Sequence, residues 1–223
     1  MNKGMLFVIS GPSASGKGTV VKELLNVYDD IGVSVSATTR APRDGEEEGV
    51  NYFYITKQEF ERRLANGEIL EHTIYNNEYY GTPYAAVKDA LENGRDIILE
   101  IEVEGAMQVK RLFPNAVTIM LTPPDFETLE RRLRNRNSEK SEDKIKWRLD
   151  RAREEVKLMP QYDYAVVNED GKVRECADLI YTLISAERIA QRGTAPTEQE
   201  KEKLEIAERQ RTKYTQQIIK KFI

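Results

Sequence analysis

One cysteine and one histidine stand in 223 residues. The single Cys176 excludes an internal disulfide and suits a reducing compartment. The lone His72 reads as structural or solvent-facing, and Cys176 as packing in a late helix. No apolar run approaches the roughly 18 residues that a membrane span requires. Basic residues are not in excess: 34 Lys and Arg stand against 38 Asp and Glu, a net charge of −4. A mildly acidic chain lacks the basic face of a general nucleic-acid binder. Met1-Asn2-Lys3-Gly4 leads straight into an apolar run, with no leader pattern before it. No internal repeat or low-complexity tract is visible. A cytoplasmic α/β domain with insertions, large enough to bury a sizeable core, is what these absences leave.

What is present is concentrated in Gly11-Pro12-Ser13-Ala14-Ser15-Gly16-Lys17-Gly18-Thr19. The run Met5 to Ile9 before it reads as a buried parallel strand, and Val20 to Tyr28 after it has helical spacing. Strand, glycine-rich turn and helix in that order make a phosphate cradle. Backbone N–H groups close around the anion, the helix adds its positive dipole end, and Lys17 adds a point charge. Gly18 follows the lysine where a hydroxyl residue is usual, and the hydroxyl comes one place later at Thr19. That form is frequent in small nucleoside monophosphate kinases.

Further strands are expected at Val33–Ser36, Asp96–Ile101, Ala116–Leu121 and Tyr164–Val167, with helical patterns between most of them. The alternation implies a parallel sheet flanked by helices, with ligands at the carboxyl ends of the strands. Two stretches break it. Residues 37–90 read as a small mixed α/β insertion with turns at Asp44–Gly49 and Asn76-Asn77, and a helix starting with Thr82 as N-cap and Pro83 in first position, ended by Gly94. Residues 126–158 are helical and arginine-rich. This leaves a core of 1–36, 91–125 and 159–192. Beyond it, 193–223 opens on Thr197-x-x-Glu200, a capping box, and carries a stripe of Leu204, Ala207, Tyr214 and Ile218. Packing of that helix on its own domain is the plainer reading, and a homodimer contact through it the sharper one.

The acceptor for a phosphate donor is expected in the first insertion. Arg40 and Arg43, three apart beside Pro42, can fork onto one phosphate, with Tyr52 and Tyr80 adding phenolic donors. Glu71 and Glu102 are carboxylates near segment ends. A buried carboxylate accepts the N1–H and 2-amino groups of a guanine edge, a pair that adenine does not offer. Each also has a plainer reading: a solvated arginine pair, core tyrosines, exposed glutamates, and Thr82 as a helix cap alone.

Taken in order, Gly11-Pro12-Ser13 with Gly16-Lys17, Ser36-x-x-Thr39-Arg40-x-x-Arg43, Gly49-Val50-Asn51-Tyr52, Leu70-Glu71, Tyr79-Tyr80-Gly81-Thr82, Leu99 to Gly105, and Tyr162-Asp163-Tyr164-x-Val166-Val167-Asn168 resemble guanylate kinase over residues 3 to 190. The resemblance implies a P-loop sheet, a GMP-binding insertion at 37–90, a helical lid at 126–158, and the reaction ATP + GMP → ADP + GDP with Mg2+. By that resemblance Ser36, Glu71, Thr82 and Glu102 read guanine, and Arg40, Arg43, Tyr52 and Tyr80 hold the GMP phosphate. Gly11, Pro12, Ser13, Ala14, Ser15, Gly16, Lys17, Gly18 and Thr19 hold ATP, with Asn168 near the adenine. Lys17, Arg136 and Arg148 serve the transferring phosphoryl group, and closure of the lid excludes water. Glu102 stands where the family often has Asp. The lid turn reads Arg136-Asn137-Ser138 with one extra residue before Ser141, so Arg134 rivals Arg136, and the magnesium ligands are not assigned. A guanylate-kinase-like interaction module without catalysis, or a P-loop kinase of another small acceptor, are the competing readings.

Overall fold

A computed structural model describes residues 3–135, 141–212 and 215–222. In chain order its elements are β1 (Leu6–Ser10), α1 (Lys17–Val27), β2 (Gly32–Val33), β3 (Ala37–Thr38), β4 (Phe53–Tyr54), α2 (Lys57–Ala65), β5 (Ile69–Tyr75), β6 (Glu78–Pro83), α3 (Tyr84–Glu92) and β7 (Ile97–Glu100). There follow α4 (Val103–Leu112), β8 (Val117–Thr122), α5 (Phe126–Arg134), α6 (Glu142–Lys157), a 3-10 turn at Met159–Gln161, β9 (Tyr164–Val167), α7 (Val173–Arg192), α8 (Glu198–Thr212) and α9 (Thr215–Ile219). The chain divides into two compact units, Met1–Val8 with Asp30–Ala116 and Ile9–Asp29 with Val117–Ile223.

A five-stranded sheet has the order β2-β7-β1-β8-β9. Its recorded pairs, β2 with β7 and β8 with β9, are parallel. Every residue of β1 and β8 is buried, the near-continuous apolar burial of strands covered on both faces. The expected strands at 96–101, 116–121 and 164–167 are present within one residue of those bounds. The one expected at 33–36 is split. Ser34 donates its N–H to the Ile98 carbonyl at 2.9 Å, whereas the Ser36 carbonyl accepts from Phe53 at 2.8 Å, so the chain leaves one sheet for another at Val35.

That second sheet, β4-β3-β6-β5, belongs to the first unit. β5 and β6 are antiparallel, β3 joins β6 antiparallel and β4 parallel, the mixed insertion expected from the sequence. Asn76 and Asn77, at φ 57° and 64°, make its tight hairpin turn, a conformation their short polar side chains tolerate. Ala37, Phe60 and Ile69 form its buried core, with Phe53, Ile55, Leu64 and Tyr79 packed against them. One local expectation is corrected. Thr82 does not cap a helix and Pro83 is not its first residue: both lie in β6, and α3 starts at Tyr84 with the extended Pro83 as N-cap. The Thr82 hydroxyl is turned to a buried side-chain partner instead, described below.

In the second unit α1 packs on α7, burying Val20 and Leu24 with Ile180, Leu183 and Ile184. Cys176 is buried in α7, as expected. The capping box is made in both directions: Thr197 N–H donates to Glu200 at 2.8 Å and Glu200 N–H to the Thr197 hydroxyl at 3.3 Å. α8 packs on α7 and β9 of its own unit; Ala207 of α8 and Ile218 of α9 are buried, while Tyr214 lies outside the described residues. Among the described residues no helix is long and apolar enough to cross a membrane.

Candidate active site

The donor loop belongs to the second unit and is built from backbone. Gly16 is the N-cap of α1 at φ 92°, a left-handed conformation that favours glycine. A Cβ there would also lie 2.3 Å from Nδ2 of Asn168. No side chain caps α1, and no acidic residue stands in its first turn. Its first N–H groups have no partner within the helix, so the dipole end is left for an anion. The Lys17 ammonium donates to the Gly11 carbonyl at 2.7 Å, which bends it back over the loop.

Asn168 donates Nδ2–H to the Ser15 carbonyl at 2.9 Å, so the residue expected near the adenine meets the loop itself. Its Oδ1, the Ser15 hydroxyl and the Thr122 hydroxyl are buried with no hydrogen-bond partner. Three such orphans in one region are costly unless a ligand or water engages them. Arg132, which sequence reasoning passed over, ties the same parts together. It donates to the Asn168 carbonyl at 2.8 Å, to Asp170 at 2.6 Å and to the Ser15 carbonyl at 3.4 Å. Pro12, Ala14 and Ser15 are buried, Ser13 is half-buried, and Gly18 and Thr19 are exposed on the first turn of α1. Arg148 is half-buried in α6. Arg136 lies outside the described residues. Its rival Arg134 is spread over two carboxylates, the half-buried Glu130 at 2.8 Å and the exposed Glu142 at 2.7 Å.

The residues expected to take the acceptor belong to the first unit. Arg40 lays its guanidinium over Tyr52, 5.0 Å from the ring centroid, and Tyr52 meets Tyr80 edge-on at 5.9 Å. The two outer nitrogens of Arg40 grip the Glu46 carboxylate at 2.6 and 2.7 Å. Glu46 also accepts from the Arg43 N–H at 2.8 Å and the Tyr54 hydroxyl at 2.9 Å. Arg40 therefore holds Glu46 far below the ordinary carboxylate range, at about 2. Arg40 Nε is buried and without a partner, an unused donor on the other edge of the fork. Burial, then the carboxylates Glu100 and Glu102, push the Tyr52 phenol up to about 12, so it stays a donor at neutral pH. The Arg43 side chain is exposed.

Glu71 is 3% exposed on β5. The Thr82 hydroxyl donates to its Oε1 at 2.7 Å, which explains why Thr82 is in a strand rather than at a cap. On the other side a Cβ at Gly105 would come within 2.1 Å of Oε2, so only glycine on α4 lets the carboxylate sit there. Desolvation lifts the Glu71 carboxyl to about 7, and the negative charges of Glu102 and Glu104 add to the rise. Glu102 stands at the N-cap of α4 without capping it. Its negative charge contributes to the upward shifts of both Tyr52 and Glu71. Ser36, half-buried between β2 and β3, joins this sheet through its carbonyl. Glu46, Tyr54 and Gly105 carried no signal that chemistry alone could read: Glu46 sits in an acidic turn, and Gly105 has no side chain. Among the described residues no three His, Cys, Asp or Glu side chains are grouped to hold a metal.

A model of the guanylate kinase family matches residues 3–187. The guanylate kinase of Oceanobacillus iheyensis is 48% identical over 187 residues, covering 84% of this chain and 89% of that protein. That of Clostridioides difficile is 47% identical over 188 residues, 84% and 90% of the two chains. The crystal structure of guanylate kinase from Anaplasma phagocytophilum matches with a TM-score of 0.68 at 32% identity, covering 84% of this chain and 87% of that one.

Proposed function

The chain belongs to the guanylate kinase family and is an ATP:GMP phosphotransferase, and we propose which residues carry each part of that reaction. The loop Gly11 to Thr19 receives the ATP phosphates on backbone N–H groups and the α1 N-terminus, with Lys17 moving from the Gly11 carbonyl onto the outer phosphates. Asn168 meets the adenine end. Arg40, Arg43, Tyr52 and Tyr80 receive the GMP phosphate, and Ser36, Glu71, Thr82 and Glu102 its guanine.

The observation that carries this reading is the Glu71 carboxylate, buried between the Thr82 hydroxyl and the bare α-carbon of Gly105. Ionised, it accepts two parallel N–H donors, which a guanine edge presents. An adenine in the same place leaves the carboxylate unpaired in a desolvated site, and that asymmetry selects the base.

In the transfer an oxygen of the GMP phosphate attacks the γ-phosphorus of ATP, the bond to the β–γ bridging oxygen breaks, and ADP leaves with that oxygen. The attacking phosphate is already an anion, so no general base is needed. The transition state is loose, and the protein's work is to position and neutralise. Lys17 and Arg148 supply that charge. Magnesium arrives as the ATP complex. Bound with ATP, it would neutralise charge on the phosphate oxygens. A cytoplasmic setting is supported by the lone buried thiol of Cys176 and a third of residues charged.

The test is ADP release from ATP with GMP, AMP or no acceptor, in the parent and in Glu71→Gln. We expect GMP-dependent ADP release in the parent and a large fall in the GMP-to-AMP ratio of kcat/KM in the variant. An unchanged ratio removes Glu71 from base recognition, and no GMP-dependent release removes the whole assignment.

A further inference from the structure

The family match ends at residue 187, and the tail beyond Arg192 takes no part in the roles above. Its first stretch is tied to its own unit. Arg192 pairs with Glu200 at 3.0 Å, and Arg211 pairs with Glu187 while donating Nε–H to the Tyr164 hydroxyl at 3.1 Å. The last described residues then reach the roots of α5 and α6. The Lys221 carbonyl accepts the backbone N–H of Phe126, the first residue of α5, at 3.3 Å. First-turn N–H groups lack partners inside a helix. Asp125 takes the one from Thr128, and the tail takes the one from Phe126.

Phe222, 2% exposed, meets the Phe126 ring edge-on, with centroids 6.5 Å apart and planes at 89°. The Arg153 guanidinium of α6 stacks on that same Phe126 ring at 4.0 Å. α9 in turn contacts the 3-10 turn at Met159–Gln161, which directly follows α6. The tail therefore grips the start of α5 and the end of α6, the two points where this helix pair leaves the sheet strands β8 and β9.

We propose that Phe222 is a positioning residue for phosphoryl transfer: it fixes Phe126 and Arg153, and through them the orientation of α6 that aims Arg148. This rests on Arg148 neutralising the moving phosphoryl group. Helix pairs that close over a substrate pivot at their roots, and residues far from the chemistry then set turnover. A tail that merely added stability would have no need to converge on these two roots and would leave turnover untouched.

The experiment compares the full-length parent, Phe222→Ala and Arg148→Ala, all assayed well below their melting temperatures. For Phe222→Ala we expect kcat to fall three- to tenfold and KM for GMP to stay within twofold, because the GMP residues belong to the other unit. The share of ATP split by water without forming GDP should rise. Arg148→Ala should lose at least a hundredfold in kcat. If Arg148→Ala is crippled while Phe222→Ala keeps parental kcat and coupling, the inference fails and the Arg148 reading stands. If Arg148→Ala turns over like the parent, that reading fails and the inference with it. Should Phe222→Ala not fold, Phe222→Leu keeps the apolar plug without the ring contact. A two- to threefold fall in kcat at unchanged KM supports the inference, and parental kcat overturns it.

Discussion

The two sets of residues proposed to bind ATP and GMP are built by opposite means. The donor loop is built from backbone: a left-handed Gly16, an uncapped α1 and one lysine folded back onto the Gly11 carbonyl. The acceptor site uses side chains: an arginine fork over two tyrosines, and a buried carboxylate with a hydroxyl on one side and a bare glycine on the other. Backbone amides and a helix dipole bind phosphate well but read nothing else. Side-chain acceptors with no spare partner read a base, because a wrong base leaves them unpaired. On the roles proposed above, the difference locates discrimination: the donor loop would set turnover and the acceptor set would decide which monophosphate is used.

That contrast breaks most sharply at Lys17. On its proposed role, Lys17→Ala removes charge that would stabilise the transferring group, and a donor of this kind is worth about 2.7–4 kcal/mol in the transition state. We expect kcat to fall a hundred- to a thousandfold while calorimetry shows GMP affinity unchanged. A matching loss of GMP affinity would mean that the two halves do not divide the work.

Arg40→Ala should act on the other half. A charge-assisted contact contributes about 1.5–3 kcal/mol. The loss belongs at the upper end, because Glu46 would lose its charged partner and keep only the Arg43 N–H and the Tyr54 hydroxyl, leaving an uncompensated carboxylate beside the incoming phosphate. GMP affinity should fall and ATP affinity should not. Arg43→Ala should follow the same pattern more weakly, since its side chain is exposed and only its backbone N–H meets Glu46. Affinity for both substrates measured by titration checks each.

A smaller effect is expected at Gly105. Alanine is the better helix former, yet its Cβ would press on Glu71 Oε2. Overpacking costs about 1–3 kcal/mol. The helix gain of about 1 kcal/mol offsets only part of that, so Gly105→Ala should melt modestly below the parent while GMP binding weakens roughly tenfold. Parental GMP affinity in this variant would show that the carboxylate has room to move and is not fixed by its pocket.

The same contrast governs what the sequence discloses. The donor loop is contiguous, so Gly11 to Thr19 declares itself through spacing alone, and the parallel strands through unbroken apolar runs. The acceptor set is scattered from Ser36 to Gly105, and no single member is informative. An Arg40–Arg43 pair is ordinary on a surface, and Glu71 is legible only through its resemblance to the family until its burial is seen. Thr82 misled because Thr-Pro before a helical run is a strong local cap signal. The tertiary pull of the Glu71 carboxylate outweighed it. Glu46 and Gly105 depend wholly on three-dimensional neighbours, and so does the aromatic contact between Phe126 and Phe222, nearly a hundred residues apart in sequence.

The most direct test of base reading by Glu71 is the pH dependence of GMP affinity in the parent and in Glu71→Gln. Burial raises the Glu71 carboxyl to about 7, above its ordinary range, so below that pH the free protein carries the proton. Binding two N–H donors requires the ionised form, so the proton must leave. The parent's affinity should therefore weaken about tenfold per unit as pH falls below 7. The GMP phosphate also titrates near pH 6, and it does so equally in both proteins. The ratio of parental to Glu71→Gln affinity isolates Glu71: it should fall steeply from pH 7.5 to 5.5. A ratio that is flat across that range would contradict base reading by a buried, ionised Glu71.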